Sequence, residues 1–390
     1  MALLAIPEEL IALRQTLNDF IDREARPREE PRRREFQETG TLPDLLELKR
    51  ELRRVSAANG FYQLFMPVDA GGSGVNNLGL VLCYETVAAA GSFLAENAGV
   101  LPGVEGPSRI LLDCTDEQRE RYLYPTMRAQ KESAFALTEP DAGSDATRIS
   151  TRATRTPEGF VINGRKHFIT HGAQADYVLV FAVTEPGKGA DGGITCFLVD
   201  SGTEGFEVAR TQRTMYDDHQ AELVFDDVHV SQDQILGREG HGFRSAMKWI
   251  NGGRLSIAAG ALGIAQQLTD RMVAYARTRE SFGQLIGKHQ YVQGMIVDSV
   301  CELDQARYLT YACADAIDNG ADGRVEAAKA KLVATEMAGR VADRAIQVFG
   351  GTGFMTETGI ERYARFLRGT RLYEGTSEIL RTTIAKGLGL

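Results

Sequence analysis

The segment Phe160-Val161-Ile162-Asn163-Gly164-Arg165-Lys166-His167-Phe168-Ile169 decides how the chain is built, because the sequence changes character here. β-branched and aromatic residues are frequent in it, and apolar positions recur with a period close to two, as in a half-buried strand. Pro157-Glu158-Gly159 before it is a turn signal, and so is Asn163-Gly164. The segment therefore predicts a strand inside a β-region.

The same pattern extends along the chain from about residue 131 to residue 235. Turn residues separate the apolar runs, most clearly between Pro186 and Gly193. Four further strands are predicted, at Tyr177–Val183, Thr195–Val199, Phe206–Ala209 and Ala221–Val230. Short strands divided by turns favour a compact domain of antiparallel strands.

Helical periodicity dominates on both sides of this β-region. Glu8–Arg26 and Leu45–Asn59 place apolar residues three and four positions apart, and comparable patterns run through 290–318 and 325–349. The clearest stripe follows the spacing i, i+3, i+4 and i+7 and consists of Leu255, Ala258, Ala259, Leu262, Ala265, Leu268 and Met272. Small residues on these faces permit the close packing of a helical bundle.

The order of these regions gives the fold class. We predict an α+β protein with an N-terminal helical domain over 1–130 and a middle antiparallel β-domain over 131–240. A C-terminal four-helix bundle over 241–390 completes the prediction.

Charge and hydropathy exclude several classes of function. The net charge of −9 and the pI near 5.4 argue against a nucleic-acid-binding protein, which needs a basic face. The basic stretch Arg26 to Arg34 is interrupted by acids and prolines, so we interpret it as a solvated helix boundary. No apolar run has the length of a membrane span, and the N-terminus lacks the pattern of a signal peptide.

The cysteines indicate a reducing compartment. Five are present (Cys83, Cys114, Cys196, Cys301 and Cys313), an odd number without CxxC spacing. This usage predicts buried free thiols rather than disulfides or a zinc site. We expect a cytoplasmic protein.

Three motifs resemble a dinucleotide-binding loop, a metal-binding histidine pair and a nucleophilic serine, but the surrounding sequence excludes each of these interpretations. Gly350-Gly351-Thr352-Gly353 follows a helical pattern, not the strand of a dinucleotide-binding unit, and predicts a helix C-terminal turn. His167 and His171 lie in a strand-like run, where such positions are roughly 13 Å apart, so no metal site is predicted. Ser144 lacks the Gly-x-Ser-x-Gly context of a nucleophile and is interpreted as a loop donor.

Five segments, taken together, resemble one enzyme family. They are Ala136-Leu137-Thr138-Glu139-Pro140-Asp141-Ala142-Gly143-Ser144-Asp145, Lys166-His167-Phe168-Ile169-Thr170, Arg279-Glu280-Ser281-Phe282-Gly283, Gln347-Val348-Phe349-Gly350-Gly351-Thr352-Gly353-Phe354 and Tyr373-Glu374-Gly375-Thr376-Ser377-Glu378-Ile379. Their order and spacing are similar to those of the acyl-CoA dehydrogenase family over essentially the whole chain.

The resemblance implies a non-covalently bound FAD between the β-domain and the C-terminal bundle. Thr170 would offer a hydroxyl near the reactive flavin nitrogen. Phe168 would pack beside the isoalloxazine ring, at a position often occupied by tryptophan in the family. The implied cofactor residues are Phe135, Leu137, Thr138, Gly143, Ser144, Phe168, Thr170, Arg279, Phe282, Gln290, Gln347, Gly350, Gly351, Thr376 and Glu378.

Several of these positions imply an oligomer. Arg279 matches an arginine that reaches the FAD diphosphate of a neighbouring subunit, and its fork of donors suits that anion. Gln347, Gly350 and Gly351 match positions where the neighbouring subunit approaches the adenine half. The resemblance therefore implies a homo-oligomer, in particular a tetramer.

The catalytic base implied by the resemblance is Glu374. The isovaleryl and long-chain branches carry their base on an earlier helix, at the position of Gly253, where glycine cannot act as one. Ser144, Arg254 and Gly375 are the implied substrate-binding residues. The expected reaction is α,β-dehydrogenation of an acyl-CoA to a trans-2-enoyl-CoA, with electrons passing to an electron-transferring flavoprotein.

Two departures from the family and two rival functions stay open. The segment Tyr216–Glu222 replaces a run of residues that is typical of the family and that borders the end of the substrate carrying CoA. The sequence therefore does not decide the chain length of the acyl group, or whether the carrier is CoA or an acyl carrier protein. His171 replaces a frequent asparagine. An acyl-CoA oxidase that uses oxygen and a catalytically silent flavoprotein that acts as a binding partner are the alternatives.

Overall fold

A computed structural model describes residues 6–39, 45–96, 98–216 and 218–390. Its helices are α1 (Glu8–Phe20), α2 (Arg26–Thr39), α3 (Leu46–Ala58), α4 (Asn77–Ala89), α5 (Asp116–Gln118), α6 (Tyr124–Met127), α7 (Gly242–Ala276), α8 (Gln290–Asp318), α9 (Gly323–Phe349), α10 (Gly351–Phe354), α11 (Ile360–Thr370) and α12 (Ser377–Gly387). Its strands are β1 (Ser133–Ala136), β2 (Arg152–Thr156), β3 (Gly159–Thr170), β4 (Tyr177–Val183), β5 (Ile194–Asp200), β6 (Phe206–Arg213), β7 (His219–Ser231), β8 (Glu280–Ser281) and β9 (Gln284–Leu285). The predicted α+β fold class is confirmed.

The middle strands form one seven-stranded sheet in the order β1-β4-β2-β3-β7-β6, with β5 also paired to β4. Most neighbours are antiparallel, but β1 runs parallel to β4, and β2 meets β4 in parallel at Arg152 and Val183. The expectation of purely antiparallel strands therefore needs correction. The sequence pattern missed β1 and β2, and parallel neighbours become possible because the chain between β1 and β4 is long enough to cross over.

Strand β4 is buried on both faces, which explains its unbroken apolar sequence. Alternate side chains of a strand point to opposite faces of a sheet. Val178, Val180 and Ala182 join one hydrophobic core, and Tyr177, Leu179 and Phe181 join another. The sheet is therefore the central layer of its part of the molecule.

Strand β3 contains two irregularities that matter for the site. The predicted turn at Asn163-Gly164 is wrong, because β3 continues through it with a register shift against β7. The side chain of Asn163 bonds to Asp227 across the strands at 2.9 Å, which satisfies the amide without reversing the chain. A second register shift separates Lys166 from Ile169 and forms a β-bulge at His167 and Phe168.

The chain divides into two compact units. Unit 1 comprises the described residues of Met1–Leu52, Val75–Val100 and Asn251–Leu390, and unit 2 comprises Arg53–Gly74 and Leu101–Ile250. The domain boundaries expected from the sequence, at 130 and 240, stay a prediction.

Unit 1 is helical and has one core of mainly small and aliphatic residues. The stripe of α7 predicted from the sequence lies in it, together with an alanine-rich face of α9 and residues of α8 and α11. No described helix is both long enough and apolar enough to cross a membrane. The first five residues, which entered the expectation about a signal peptide, lie outside the described part of the chain.

The interpretation of Arg26 to Arg34 as a helix boundary is wrong. α2 continues through Pro31, and side chains four residues apart form ion pairs along it, including Arg33 with the buried Glu29 and the exposed pair Arg34–Glu30. Such pairs support a helix at this spacing. The cysteines also need one correction, because all five are free but Cys301 is exposed.

Unit 2 contains a buried ionic cluster around Arg53. Its guanidinium bonds to Glu132 and lies 3.5 Å from Glu105, which also accepts a hydrogen bond from Tyr62 at 3.1 Å. Burial raises the pKa of the Glu105 carboxyl, but Arg53 and its other partners outweigh this effect and lower it. The Glu105 carboxylate is therefore charged in the interior and depends on Arg53.

We expect Arg53→Met to lower the free energy of unfolding by about 3–5 kcal/mol, because it leaves two buried carboxylates without their cation. Urea denaturation followed by circular dichroism measures this change. Arg54→Met is the matched control, since Arg54 is exposed one position along the same helix. Equal urea midpoints for Arg53→Met and Arg54→Met would contradict the conclusion that Arg53 stabilises the buried carboxylates.

Candidate active site

Glu374 lies in the turn between α11 and α12 and has an unusual backbone conformation. Its φ is 51°, and that of Gly375 is 96°, so two consecutive residues occupy the left-handed region. A non-glycine residue there costs on the order of 1–3 kcal/mol, which surrounding contacts must offset. Thr376 then caps α12 by accepting a hydrogen bond from the Ile379 amide at 3.3 Å. The turn therefore holds Glu374 at one defined place.

Two buried cations bind the carbonyl oxygens of this turn. The Lys331 ammonium on α9 donates to the carbonyl oxygens of Tyr373 and of Gly375, the second at 2.7 Å. Arg254 on α7 donates from Nε to the carbonyl oxygen of Glu374 at 3.0 Å. Three successive carbonyl groups thus accept hydrogen bonds from charged donors, which are stronger than neutral ones.

The Glu374 side chain occupies space that only a glycine at position 253 leaves open. A Cβ added at Gly253 would lie 2.2 Å from Oε2 of Glu374, far inside contact distance. The residue as a whole is half-buried, but Oε2 is shielded from solvent and has no hydrogen-bond partner among the described residues. One carboxylate oxygen is therefore desolvated and chemically available.

Burial raises the pKa of the Glu374 carboxyl above its ordinary range, and the positive charges of Lys331 and Arg254 offset part of this rise. Burial lowers the pKa of the Lys331 ammonium, with Glu374 acting in the opposite direction. A carboxyl group that titrates closer to neutrality is suited to act as a general base.

In unit 2, a second buried lysine holds the loop that follows β1. Lys166 donates to the carbonyl oxygen of Leu137 at 3.0 Å and to the carboxylate of Glu139 at 2.8 Å. The backbone amide of His167 donates to the carbonyl oxygen of Thr138 at 2.8 Å. Leu137 and Thr138 are therefore fixed beside the β3 segment that carries Phe168 and Thr170.

Phe168 is displayed on the β-bulge of β3. Its φ is 58°, and its side chain is 58% exposed and stacks on His167 with ring centroids 3.9 Å apart. An exposed aromatic ring held by backbone strain is typical of a ligand-contacting position. Thr170, two residues on, donates its hydroxyl to Oε1 of Gln220 at 2.7 Å.

The other predicted residues of unit 2 differ in exposure. Phe135 is half-buried and stacks on Trp249, with centroids 4.1 Å apart and ring planes 11° from parallel. Gly143 and Ser144 are exposed in the loop after β1. Of the substrate residues expected from the sequence, Ser144 belongs to unit 2, whereas Arg254 and Gly375 belong to unit 1.

A second group of predicted residues lies at another end of unit 1. Tyr275 near the end of α7 stacks on Phe349 at the end of α9, with centroids 4.2 Å apart, which brings Arg279 and Gly350 to the same region. Phe282, at the tip of the β8–β9 hairpin, is 95% exposed with φ of 51°. The exposed members of this group are Arg279, Phe282, Gln290, Gln347, Gly350 and Gly351. The prediction of a helix end at Gly350 is confirmed.

The family comparison assigns the chain along its length. Residues 7–130, 134–228 and 240–389 match the acyl-CoA dehydrogenase N-terminal domain, middle domain and C-terminal domain, respectively. The chain belongs to the acyl-CoA dehydrogenase family. This is a family of oxidoreductases, so the resemblance stated from the five segments is confirmed.

Individual relatives include dehydrogenases and reductases. The chain is 36% identical to a 3-(aryl)acrylate reductase of Clostridium sporogenes, over 96% of this chain and 97% of the relative. It is 35% identical to the caffeyl-CoA reductase-Etf complex subunit CarC of Acetobacterium woodii, covering 90% and 91%. It is 34% identical to an acyl-CoA dehydrogenase of Bacillus subtilis, covering 98% of each.

Solved structures agree with this assignment. The butyryl-CoA dehydrogenase of Megasphaera elsdenii matches with a TM-score of 0.85 and 32% identity, over 99% of this chain and 100% of that one. The FAD complex of PigA matches with a TM-score of 0.86 and 26% identity, over 99% of each chain. The acyl-CoA dehydrogenase architecture therefore applies to the whole chain.

The sequence pattern did not identify the two buried lysines, Lys331 in unit 1 and Lys166 in unit 2, that hold these loops. Lys331 lies on the same helical face as Ala327, Ala328 and Ala334, which are buried. A single lysine within a stripe of small residues is a signal that could have found it, because lysine is rarely buried without a specific partner. Lys166 lies next to the His167 and Phe168 bulge and gave no comparable signal.

The two departures from the family pattern, His171 and the segment Tyr216–Glu222, both contact charged residues. His171 directly follows β3 with φ of 60°, and its Nε2 lies 3.6 Å from Oε2 of Glu105. In the Tyr216–Glu222 segment, Glu222 is paired with Arg165 and Arg210, while Asp217 lies outside the described residues. The negative charge of this segment is therefore partly neutralised.

We expect Gly253→Ala to displace the Glu374 carboxylate, because the new Cβ would overlap Oε2. Once it leaves the shielded position, the pKa of the carboxyl falls toward the range of exposed glutamates. Infrared titration, with Glu374→Gln as the spectral reference, measures this pKa. Gly252→Ala is the control, since a Cβ there meets nothing within 4 Å. Identical titrations for Gly253→Ala and wild type would refute the steric argument.

Proposed function

We propose that the chain catalyses FAD-dependent α,β-dehydrogenation of an acyl-CoA to a trans-2-enoyl-CoA, with Glu374 as the base that removes the α-proton. The observation that carries this proposal is the desolvated, unpartnered Oε2 of Glu374 in a strained turn fixed by two cations. A thioester α-proton is a weak acid, so its removal requires a base that is positioned and partly desolvated.

The cofactor is FAD, and the residues present fit it. The bulge of β3 presents the exposed ring of Phe168, and Thr170, whose hydroxyl bonds to Gln220, follows two residues later. A flat aromatic cofactor with a polar edge requires an aromatic wall and a polar group of this kind. Arg279 is exposed and forms no ion pair among the described residues, so its guanidinium is available for a diphosphate. FAD, when bound, supplies the acceptor for the hydride that leaves the β-carbon.

The residues around Glu374 assist the proton transfer in two ways. The backbone N–H of Glu374 makes no hydrogen bond among the described residues, so it can donate to the thioester oxygen as enolate charge develops. One such donor is worth roughly 3–4 kcal/mol in a transition state. Lys331 and Arg254 add positive charge near the Glu374 carboxylate and hold the turn in place.

The proposed partners follow from the same residues and relatives. We expect electrons to leave through an electron-transferring flavoprotein, in line with the relative named as a subunit of a reductase-Etf complex. A homo-oligomer, in particular a tetramer, is supported by apolar side chains exposed along α8, including Tyr291, Val297 and Tyr308. A fatty acyl group is the expected substrate class.

A second candidate is the reverse reaction, the reduction of a 2-enoyl or aryl-acryloyl thioester. The observation in its favour is that two relatives spanning nine-tenths or more of the chain are named as reductases. Glu374 would then deliver a proton to the α-carbon, by microscopic reversibility. Two anaerobic experiments distinguish the preferred direction. Oxidised enzyme is mixed with saturated acyl-CoAs, reduced enzyme is mixed with aryl-acryloyl-CoAs, and the rates of flavin reduction and reoxidation are compared.

We expect Glu374→Gln to bind FAD and acyl-CoA nearly normally but to reduce its flavin ~10²–10⁴-fold more slowly, because the amide has no basic lone pair. Stopped-flow absorbance after anaerobic mixing measures this rate. Glu357→Gln is the control, since Glu357 is an exposed glutamate of the same unit. If Glu374→Gln is reduced at the wild-type rate, the base lies elsewhere.

We expect Arg279→Ala to weaken both FAD retention and subunit association, because the guanidinium is assigned to a diphosphate held across a subunit boundary. Flavin content after dialysis and sedimentation velocity measure the two effects. Arg277→Ala is the matched control, an exposed arginine two residues earlier. Loss of FAD without any change in association would remove the subunit-boundary part of the proposal.

A further inference from the structure

We propose that Lys331 is a positioning residue for Glu374, whose ammonium group fixes the strained turn and sets the charge environment of the carboxylate. This inference rests on the proposed function only in naming Glu374 as the base. Lys331 is wholly buried on α9 and reaches the turn through two hydrogen bonds to backbone carbonyl oxygens. Neither the sequence pattern nor the family resemblance assigned it a role.

The burial of Lys331 is costly and therefore needs an explanation. Among the described residues, no carboxylate lies within 4 Å of its ammonium, so it is not part of a buried ion pair. Its hydrogen-bond partners are the carbonyl oxygens of Tyr373 and Gly375. A buried charge with only dipolar partners destabilises a fold relative to an apolar side chain of the same size.

The buried ammonium group of Lys331 restrains the turn that contains Glu374. The Tyr373 carbonyl belongs to the peptide group before Glu374, and the Gly375 carbonyl belongs to the peptide group after Gly375. One ammonium group therefore restrains both ends of the two-residue segment with positive φ. A carbonyl group accepts but cannot donate, so a neutral apolar side chain at 331 would leave both oxygens without this partner. Lys331 thereby offsets the strain of the turn that aims the Glu374 side chain at Gly253.

Lys331 also acts on Glu374 through its charge. The charged groups that face the carboxylate are Arg254 from α7 and Lys331 from α9. On the turn itself, Arg371 is paired with Glu336 at 3.0 Å and is largely neutralised. Removing the Lys331 charge therefore leaves burial opposed by one cation instead of two, and the carboxyl must become harder to ionise.

The test compares Lys331→Met, which keeps the length but removes the charge, with Lys331→Arg, which keeps the charge and the donors. Lys329→Met is the matched control, because Lys329 lies two residues earlier on α9 and pairs with Glu326 at its more exposed face. The first measurement is an infrared titration of the Glu374 carboxyl in substrate-free, FAD-loaded protein, referenced to Glu374→Gln. The second is the pH profile of flavin reduction by acyl-CoA.

We expect the Glu374 pKa in Lys331→Met to rise by at least about one pH unit, the lower end of the effect of a nearby opposite charge. The acid limb of the rate profile should shift by the same amount, so the rate falls about tenfold at pH values well below the wild-type pKa and recovers at pH values above the new pKa. Lys331→Arg and Lys329→Met should keep the wild-type titration. A purely structural role would lower stability without moving either titration.

Each outcome has a defined meaning. An unchanged carboxyl titration in folded Lys331→Met overturns the proposal, as does an equal shift in Lys331→Arg. If Lys331→Met does not fold, wild-type titration and activity in Lys331→Arg support the role of the charge, and a shifted titration there overturns it. A failure of the proposed function appears separately, as full flavin reduction by Glu374→Gln, and leaves the infrared titration interpretable.

Discussion

A buried ammonium group bonded to backbone carbonyl oxygens is the interaction on which the candidate site depends. Lys331 holds the turn of Glu374 in unit 1, and Lys166 holds the loop after β1 in unit 2. Loops rarely position side chains well by themselves, because their backbones lack the regular bonds of helices and strands. Here each loop obtains its rigidity from a lysine that belongs to a neighbouring helix or strand.

Much of this arrangement could be predicted from the sequence, and the remainder depends on long-range contacts. The five predicted strands and the long helices follow from local periodicity, and Glu374 followed from its motif. The parallel pairing of β1 with β4 could not be predicted, because it joins segments whose local patterns do not refer to each other. The role of Lys331 was missed for the same reason, since its partners lie more than forty residues away.

Electrostatics at Glu374 is a balance between opposing effects. Burial weakens the acid and makes the carboxylate a stronger base, whereas Lys331 and Arg254 keep a useful fraction of it ionised. At Glu139 in unit 2 the same opposing effects shift the pKa in the other direction. Burial raises its pKa, but Lys166 and hydrogen bonds from Ser150 and Thr151 outweigh burial and lower it to about 2. The same chemical group thus becomes a titratable base in one loop and a permanent anion in the other.

The overlap between a Cβ at position 253 and the Glu374 carboxylate also restricts how such a protein can evolve. The family resemblance implies that the isovaleryl and long-chain branches carry their base on the earlier helix, at the position of Gly253, so that two positions could supply the carboxylate. There is room for only one of them at a time. A side chain at 253 would collide with the Glu374 carboxylate, and with Glu374 as the proposed base its loss would leave the site without a base while 253 is glycine. Under the proposal, moving the base between the two positions would therefore require paired substitutions.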